Sequence, residues 1–430
     1  TKARFVRVTF LHNSAGSKSG GHIVEIEGYA VDPKIAETVA ARQRAWAAVP
    51  PGLHGAVGST DIRYDRHIVP AIEAVQRWTG VGWRGERLNA QFLLWTATGT
   101  RQTRMKTSDL VDKDGNTIPA ANVRAFYVRY VLADRQIVPD VLDTIPSLDL
   151  ARQTVRPVWL VIDIPPEARP GHYSGRLNVK AAGGAALDFD IQVEVLAAML
   201  PSPAKWKFRL DLWQCPDSVA RYHHVQPWSK EHWALLDPVL RMLAEAGQKC
   251  LTIAIVHDPW SSQTYDPYES MINWIKRKDG TWNYDYSIFD QYVEFAAKCG
   301  ITDSINCYSM VPWGDLIRYT DEATGDYAWL KAPAGTKEFE DVWGPFLKDF
   351  AAHLKQRGWL ERTAIAMDER PPEMMRPTIA LVRRVAPGMK IALAGGNHPE
   401  FKEEIEDWCV FIDPPLKPEI ARERTVGKGW

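Results

Sequence analysis

From Trp206 onward the sequence alternates between two kinds of segment, and that alternation limits the fold more than any other feature. WKFRLDLW, QKCLTIAIVHDPW, ITDSINCYSMVPW, ERTAIAMDE, MKIALAGGN and WCVFIDPP read as strands. SKEHWALLDPVLRMLAEAG, SIFDQYVEFAAKCG, EDVWGPFLKDFAAHLKQRGW and RPTIALVRRVAPG read as the helices between them. Ser229 suits the N-cap of the first helix, and Gly247, Gly300, Gly358 and Gly388 stand where the helices should stop. Repeated strand–helix units predict a parallel sheet. With no Gly-x-Gly-x-x-Gly turn, the pattern favours a (β/α)8 TIM-like barrel over a dinucleotide-binding sheet. Six barrel strands can be counted before Trp430, so the expectation is a barrel truncated after about six strands.

The first half has a different rhythm. RFVRVTFL, HIVEIEGYAV, RLNAQFLLWTA, VRAFYVRYVL, VRPVWLVIDI, YSGRLNVKAA and LDFDIQVEVLA are strand-like runs broken by Gly, Pro and Asp turns. They predict an N-terminal β-sandwich. The Ala-rich stretch from Asp32 to Trp46 reads as helix. Pro201 and Pro203 mark the change of character, giving a sandwich over residues 1–203 and an incomplete barrel over 204–430. The sandwich reads as a scaffold before it reads as a sugar-binding module.

Composition excludes some functions. The chain of 430 residues has a net charge of -1, which disfavours a phosphate backbone, so nucleic acid is not an expected partner. No apolar run is long enough to span a bilayer. The five cysteines match no zinc or redox spacing, and His223–His224 lacks a third ligand, so no metal is expected. Eighteen tryptophans serve mostly packing, but Trp also offers a flat face and an N–H donor.

In a parallel barrel, chemistry collects at the C-terminal strand ends. Those ends carry Asp211, Trp213 and Gln214; His257, Asp258 and Trp260; Asn306, Tyr308, Ser309 and Trp313; Asp368 and Glu369; Asn397 and His398; and Asp413. Acids beside aromatic rings suit a carbohydrate pocket. The pair His257–Asp258 fits a satisfied turn equally well, and Trp206, Trp233 and Trp274 read as packing. The polar, aromatic segment from Tyr265 to Tyr286 reads either as a roof over the pocket or as a fixed surface loop.

Asp368 and Glu369 are adjacent, and this is informative. An ordinary retaining glycosidase faces two acids across the scissile bond, about 5 Å apart, from different strands. Neighbouring acids at one strand end suit substrate-assisted chemistry instead. One donates a proton to the glycosidic oxygen. The other steadies a 2-acetamido group whose carbonyl attacks the anomeric carbon. Like-charge proximity should raise one pKa of the pair, as a general acid near neutrality requires. Arg370 is placed to hold one acid charged, and Pro371–Pro372 keeps the turn from relaxing into helix.

DLWQ…VARYHHVQPWSKEHW, GQKCLTIAIVHDPWSSQTYDPYESMINWIKRKDGTWNYDYSIFDQYVEF, NCYSMVPWGD and MDE resemble glycoside hydrolase family 123, as do GVGWRGERLNAQFLLWTA and PGHYSG upstream. The resemblance covers most of the chain. It implies an exo-acting retaining β-N-acetylgalactosaminidase with an oxazolinium intermediate, acting on glycans such as glycosphingolipid oligosaccharides. It implies Asp368 as the residue orienting the acetamido group and Glu369 as general acid and base. Trp213, His257, Trp260, Tyr308, Trp313 and Asn397 would lie near the sugar. No cofactor is implied. The expected partner is a glycan with terminal β-GalNAc, and oligomeric state is not legible. An exported protein (periplasmic, cell-surface or secreted) is expected, with its signal peptide outside this sequence. A β-N-acetylglucosaminidase or other retaining glycosidase would carry the same acids. A non-catalytic carbohydrate-binding protein and an extracellular scaffold are the remaining readings.

Overall fold

The computed structural model describes residues 33–133 and 135–410, and they fall into two units that meet in sequence at Pro201 and Ser202. The expected strands RFVRVTFL and HIVEIEGYAV, and Asp413, lie outside the described residues.

The first unit opens with helix α1 (Pro33–Ala47), as the Ala-rich stretch predicts. One sheet contains β1 (His54–Gly58), β3 (Arg87–Thr96), β7 (Val123–Ala133), β8 (Gln136–Asp143) and β10 (Thr154–Asp163), in the order β1-β3-β10-β7-β8. The other runs β2-β12-β11-β4-β9, from β2 (Arg77–Arg84), β4 (Thr100–Thr107), β9 (Leu148–Leu150), β11 (Gly171–Lys180) and β12 (Ala186–Met199). The short strands β5 (Leu110–Val111) and β6 (Thr117–Ile118) join it through β11. Neighbours are antiparallel except β2 and β12. Period-two alternation in β3 sends Ala90, Phe92 and Leu94 into a core shared with Leu177, Phe189 and Ile191 of the other sheet. Phe92 and Phe189 touch there, ring centroids 4.9 Å apart.

The second unit is built on a parallel sheet in sequential order: β13 (Cys250–Ala254), β16 (Ser304–Tyr308), β19 (Thr363–Asp368), β20 (Lys390–Gly395) and β21 (Asp407–Val410). Its helices are α2 (Pro216–His223), α3 (Lys230–Glu245), α4 (Ser287–Cys299), α5 (Lys337–Arg357) and α6 (Pro372–Val385). The Ser229 hydroxyl accepts the His232 N–H at 3.1 Å, and Thr336 caps α5 in the same way through Phe339 N–H at 3.2 Å. Gly300 and Gly358 close α4 and α5 in the left-handed conformation, as their placement predicts. By contrast α6 stops at Val385, short of Gly388, because Pro387 forces Ala386 out of helical geometry.

Strand periodicity divides the sheet's side chains. Ile253, Ile305, Cys307, Ile365, Met367, Ile391 and Leu393 face the large apolar core with the helices. Ala254, Tyr308, Ala364, Ala366, Ala392 and Ala394 form a second cluster with Trp260 and Tyr268. The alanines leave room for the rings above them.

One expected strand does not form. Residues 206–213 make a single parallel bridge, Leu210 to Gln248. Beyond it, side chains replace the backbone ladder along β13. Gln214 accepts the Thr252 N–H at 2.9 Å, and Gln248 accepts the Leu212 N–H at 3.0 Å. The Tyr265–Tyr286 excursion holds β14 (Asn273–Lys276) and β15 (Trp282–Asp285), while β17 (Leu316–Asp321) and β18 (Tyr327–Lys331) follow β16. Together they form a second sheet, β15-β14-β17-β18.

Phe346 is fully buried, stacked on Trp274 at 4.3 Å and edge-on to Trp343 at 5.5 Å. Phe346→Ala should cost about 3–5 kcal/mol, read as a lowered melting temperature. An unchanged melt would show that this aromatic core does not hold the unit together.

Candidate active site

The acids terminate a strand packed on both faces. Every residue of β19 from Thr363 to Asp368 is buried, and the next residue, Glu369, is exposed. Glu369 adopts a left-handed φ of 46°, and its N–H donates to the Ala394 carbonyl at 2.7 Å. Gly395 lies beneath this corner. A Cβ there would stand 3.0 Å from Glu369 Cα and 3.1 Å from its N, with φ at +144°. Only glycine permits this approach. The corner makes the two carboxylates diverge, one inward and one outward.

Asp368 is 7% exposed, and its Oδ2 accepts the Trp260 Nε1–H at 2.7 Å. Burial raises its pKa, the Trp260 donor opposes that rise, and the Glu369 charge adds to it. The rise on Asp368 comes first from burial, and the like charge expected to drive it is a lesser contribution. Trp313 also lowers the Asp368 pKa through its indole N–H, although that N–H is buried with no partner at full hydrogen-bond geometry. Arg370 helps hold Asp368 charged, as the sequence predicts, since its positive charge lowers the Asp368 pKa. Its Nε–H donates to the Asp368 backbone carbonyl at 2.7 Å, and its guanidinium stacks on Trp313 at 4.3 Å.

Rings line the inward side. Trp213 lies 5.1 Å from Trp260 and 4.6 Å from Tyr308, and Trp260 lies 4.7 Å from Tyr268. Trp213 keeps 37% of its surface exposed, whereas Trp260 and Tyr308 are almost fully buried. Trp213, Trp260, Tyr308, Trp313 and Asp368 are thereby linked through contacts. His257 stands apart, its Nδ1 3.1 Å from a Glu269 carboxylate oxygen that also accepts from Arg318. Burial would raise the Glu269 pKa, but His257 and Arg318 outweigh it and hold the carboxyl at about 2. Asn397 is exposed beyond β20.

Other strand-end residues have structural tasks. Asp258 turns at φ 45° and accepts the Ser262 N–H at 2.9 Å. Asn306 donates to Asp407 at 2.8 Å, and Asp407 also pairs with Arg209 at 2.5 Å. Tyr268, Glu269 and Arg318 were missed by sequence reasoning. The polar and aromatic richness of Tyr265–Tyr286 was the available signal for the first two. Among the described residues, no His, Cys, Asp or Glu cluster could hold a metal ion, and no helix is long and apolar enough to cross a membrane.

The glycoside hydrolase 123 catalytic-domain profile matches residues 213–429, and the glycoside hydrolase 123 N-terminal-domain profile matches residues 57–181. The chain belongs to glycoside hydrolase family 123. It is similar in structure to a family 123 glycoside hydrolase from Clostridium perfringens studied for glycolipid glycan hydrolysis, with a TM-score of 0.76 and 28% identity over 84% of this chain and 67% of that one. A family 39 glycoside hydrolase from the gut symbiont Bacteroides cellulosilyticus aligns with a TM-score of 0.25 and 14% identity, over 74% of this chain and 49% of that one. A family 5 xyloglucanase from Bacteroides ovatus aligns with a TM-score of 0.22 and 9% identity, over 77% and 66%. No curated protein matches the chain. Membership of the family makes this protein a glycoside hydrolase.

Asp217 supports the site from α2, accepting the Glu269 N–H at 3.1 Å. Burial pushes its carboxyl up to about 6, and the Glu269 and Asp266 charges add to the rise. The fold favours its protonated form, so the stability it lends is complete below its usual pKa of 3.8 and is lost as pH rises through about 6. Asp217→Asn keeps the acceptor and removes the titration. Relative to wild type it should gain stability between about pH 4 and pH 7, read from paired melting curves. An equal offset at both ends of that range would contradict this.

Proposed function

We propose that this family 123 enzyme is an exo-acting retaining β-N-acetylgalactosaminidase that uses the substrate's own acetamido group as nucleophile. The observation that carries the reading is the divergence of adjacent acids, with Asp368 buried on an indole N–H and Glu369 exposed. Two acids facing across a bond need separate strands, whereas these share one corner. Asp368 accepts the acetamido N–H and steadies the positive charge as the carbonyl oxygen closes on the anomeric carbon. Glu369 protonates the departing glycosidic oxygen, then takes a proton from the water that opens the oxazolinium. Trp213, Trp260, Tyr308 and Trp313 wall the sugar, with Trp213 offering the accessible ring face. The parallel sheet is the described part of a (β/α)8 barrel, and the two-sheet unit is a β-sandwich. Terminal β-GalNAc is the sugar, because the adjacent acids suit a 2-acetamido substrate and the family resemblance implies the galacto configuration; glycolipid-type glycans as its carriers are supported by the glycolipid glycan hydrolysis named for the Clostridium perfringens relative. The protein acts outside the cytoplasm.

Aryl β-GalNAc, β-GlcNAc and β-galactoside substrates separate the possibilities. The acetamido sugars should be cleaved and β-galactoside spared; equal rates on β-galactoside would sink the mechanism, and preference for GlcNAc would change the sugar but not the chemistry. Glu369→Gln should lower kcat/KM about 100- to 10,000-fold on a substrate with a poor leaving group. Survival of that turnover would remove the acid role.

Trp260→Phe tests Asp368. Loss of the N–H removes a force that lowers the Asp368 pKa, so that pKa rises further. The mechanism needs the anion, so the acidic limb of the kcat/KM profile should move to higher pH. A limb that stays in place, or moves down, would refute the assignment.

A further inference from the structure

Two exposed aromatic rings stand on the sheet that joins the pocket wall. Tyr327 and Trp329 are 67% and 52% exposed. They alternate along β18 with Lys331 on the same outer face. Register sets Thr320 opposite Tyr327 and Arg318 opposite Trp329. The Arg318 guanidinium lies 4.4 Å from the Tyr327 ring centroid, and Glu269 meets its charge. Trp329 contacts His257 edge-on at 5.5 Å, and His257 pairs with that same Glu269.

The backbone ties this face to the loops beside the acid pair. His257 precedes Trp260, whose indole holds Asp368, by three positions in the sequence. The Trp313 backbone N–H donates to the Pro259 carbonyl at 2.8 Å, and β17 begins at Leu316, directly after Trp313–Gly314–Asp315. Beyond β18, the Ala332 N–H returns to the Asp315 carbonyl at 2.8 Å. The strands bearing Tyr327 and Trp329 are thus pinned to the loops bearing Trp260 and Trp313.

The surface chemistry selects an occupant. A membrane of anionic lipid is recognised by a cluster of several unpaired cations, but Glu269 neutralises Arg318 here and a single Lys331 is not such a cluster. The Trp329 ring with the His257 imidazole edge-on to it, and the Tyr327 ring with the Arg318 guanidinium over one face and Thr320 opposite, suit an uncharged sugar, which stacks its C–H face and hydrogen-bonds around its rim. We propose that Trp329 and Tyr327 form a platform for the leaving-group side of the glycan, where the sugar next to the released residue stacks. His257 and Arg318 then serve that sugar's hydroxyls, and His257 belongs to the leaving side instead of the GalNAc ring. The platform deepens the β-N-acetylgalactosaminidase reading and rests on it.

Its test compares an aryl β-GalNAc with a trisaccharide bearing terminal β-GalNAc on lactose. In wild type, Trp329→Ala and Tyr327→Ala, kcat/KM is measured on both. The trisaccharide-to-aryl ratio should fall about tenfold in Trp329→Ala, the loss of one stacking contact. It should fall in the same direction in Tyr327→Ala. Equal losses on both substrates, or none on either, would overturn the platform. If wild type spares both substrates, the β-GalNAc reading fails by itself. The platform is then judged by calorimetric binding of the trisaccharide to the Glu369→Gln protein, alone and combined with Trp329→Ala. Weaker binding in the double variant supports it, and unchanged binding overturns it.

Discussion

The Glu369 N–H that reaches the Ala394 carbonyl is the bond on which the site depends. It ends β19 against β20 and turns the chain through a left-handed residue. Without that turn, neighbouring acids on a continuing strand would point to opposite faces of the sheet, one of them among the helices. With it, Asp368 keeps the inward direction of Ala364 and Ala366, and Glu369 leaves the sheet altogether. Gly395 permits the close approach, and Arg370 holds the Asp368 carbonyl from the other side.

The surroundings of Asp368 reconcile two demands. Burial favours the neutral acid, while the proposed chemistry needs an anion. A hydrogen-bond donor that carries no charge is a suitable compromise, because it stabilises the carboxylate without neutralising it. Trp260 supplies that donor, and the stack of Arg370 on Trp313 sets a second indole nearby. Alanines along the strands give these rings their space.

Much of this was legible in the sequence because its causes are local. Ser229, Gly300 and Gly358 mark helix ends through bonds to residues a turn away. Ile365 and Met367 alternate with Ala364 and Ala366, so the two faces of β19 can be told apart by size alone. The acid pair announced itself by adjacency. What sequence reasoning missed depends on distant partners. Residues 206–213 carry a strand-like pattern, but Gln214 and Gln248 take over the edge of β13, and side-chain substitution for a ladder leaves no periodic trace. Arg370 acts on the Asp368 charge as expected, but its hydrogen bond to the Asp368 backbone carbonyl was not legible. The link from His257 to Glu269, Arg318 and Trp329 joins segments whose pairing arises only when two excursions from the parallel sheet share one small sheet.

The central claim is that the nucleophile belongs to the substrate and the protein supplies two diverging acids around it. Progressive fluorination of the acetamido methyl group tests this most directly, since fluorine draws electron density from the attacking carbonyl oxygen while changing little else. The account predicts that kcat/KM on aryl β-GalNAc substrates falls steeply and monotonically from acetyl to trifluoroacetyl. A flat series would contradict it and return the nucleophile to the protein.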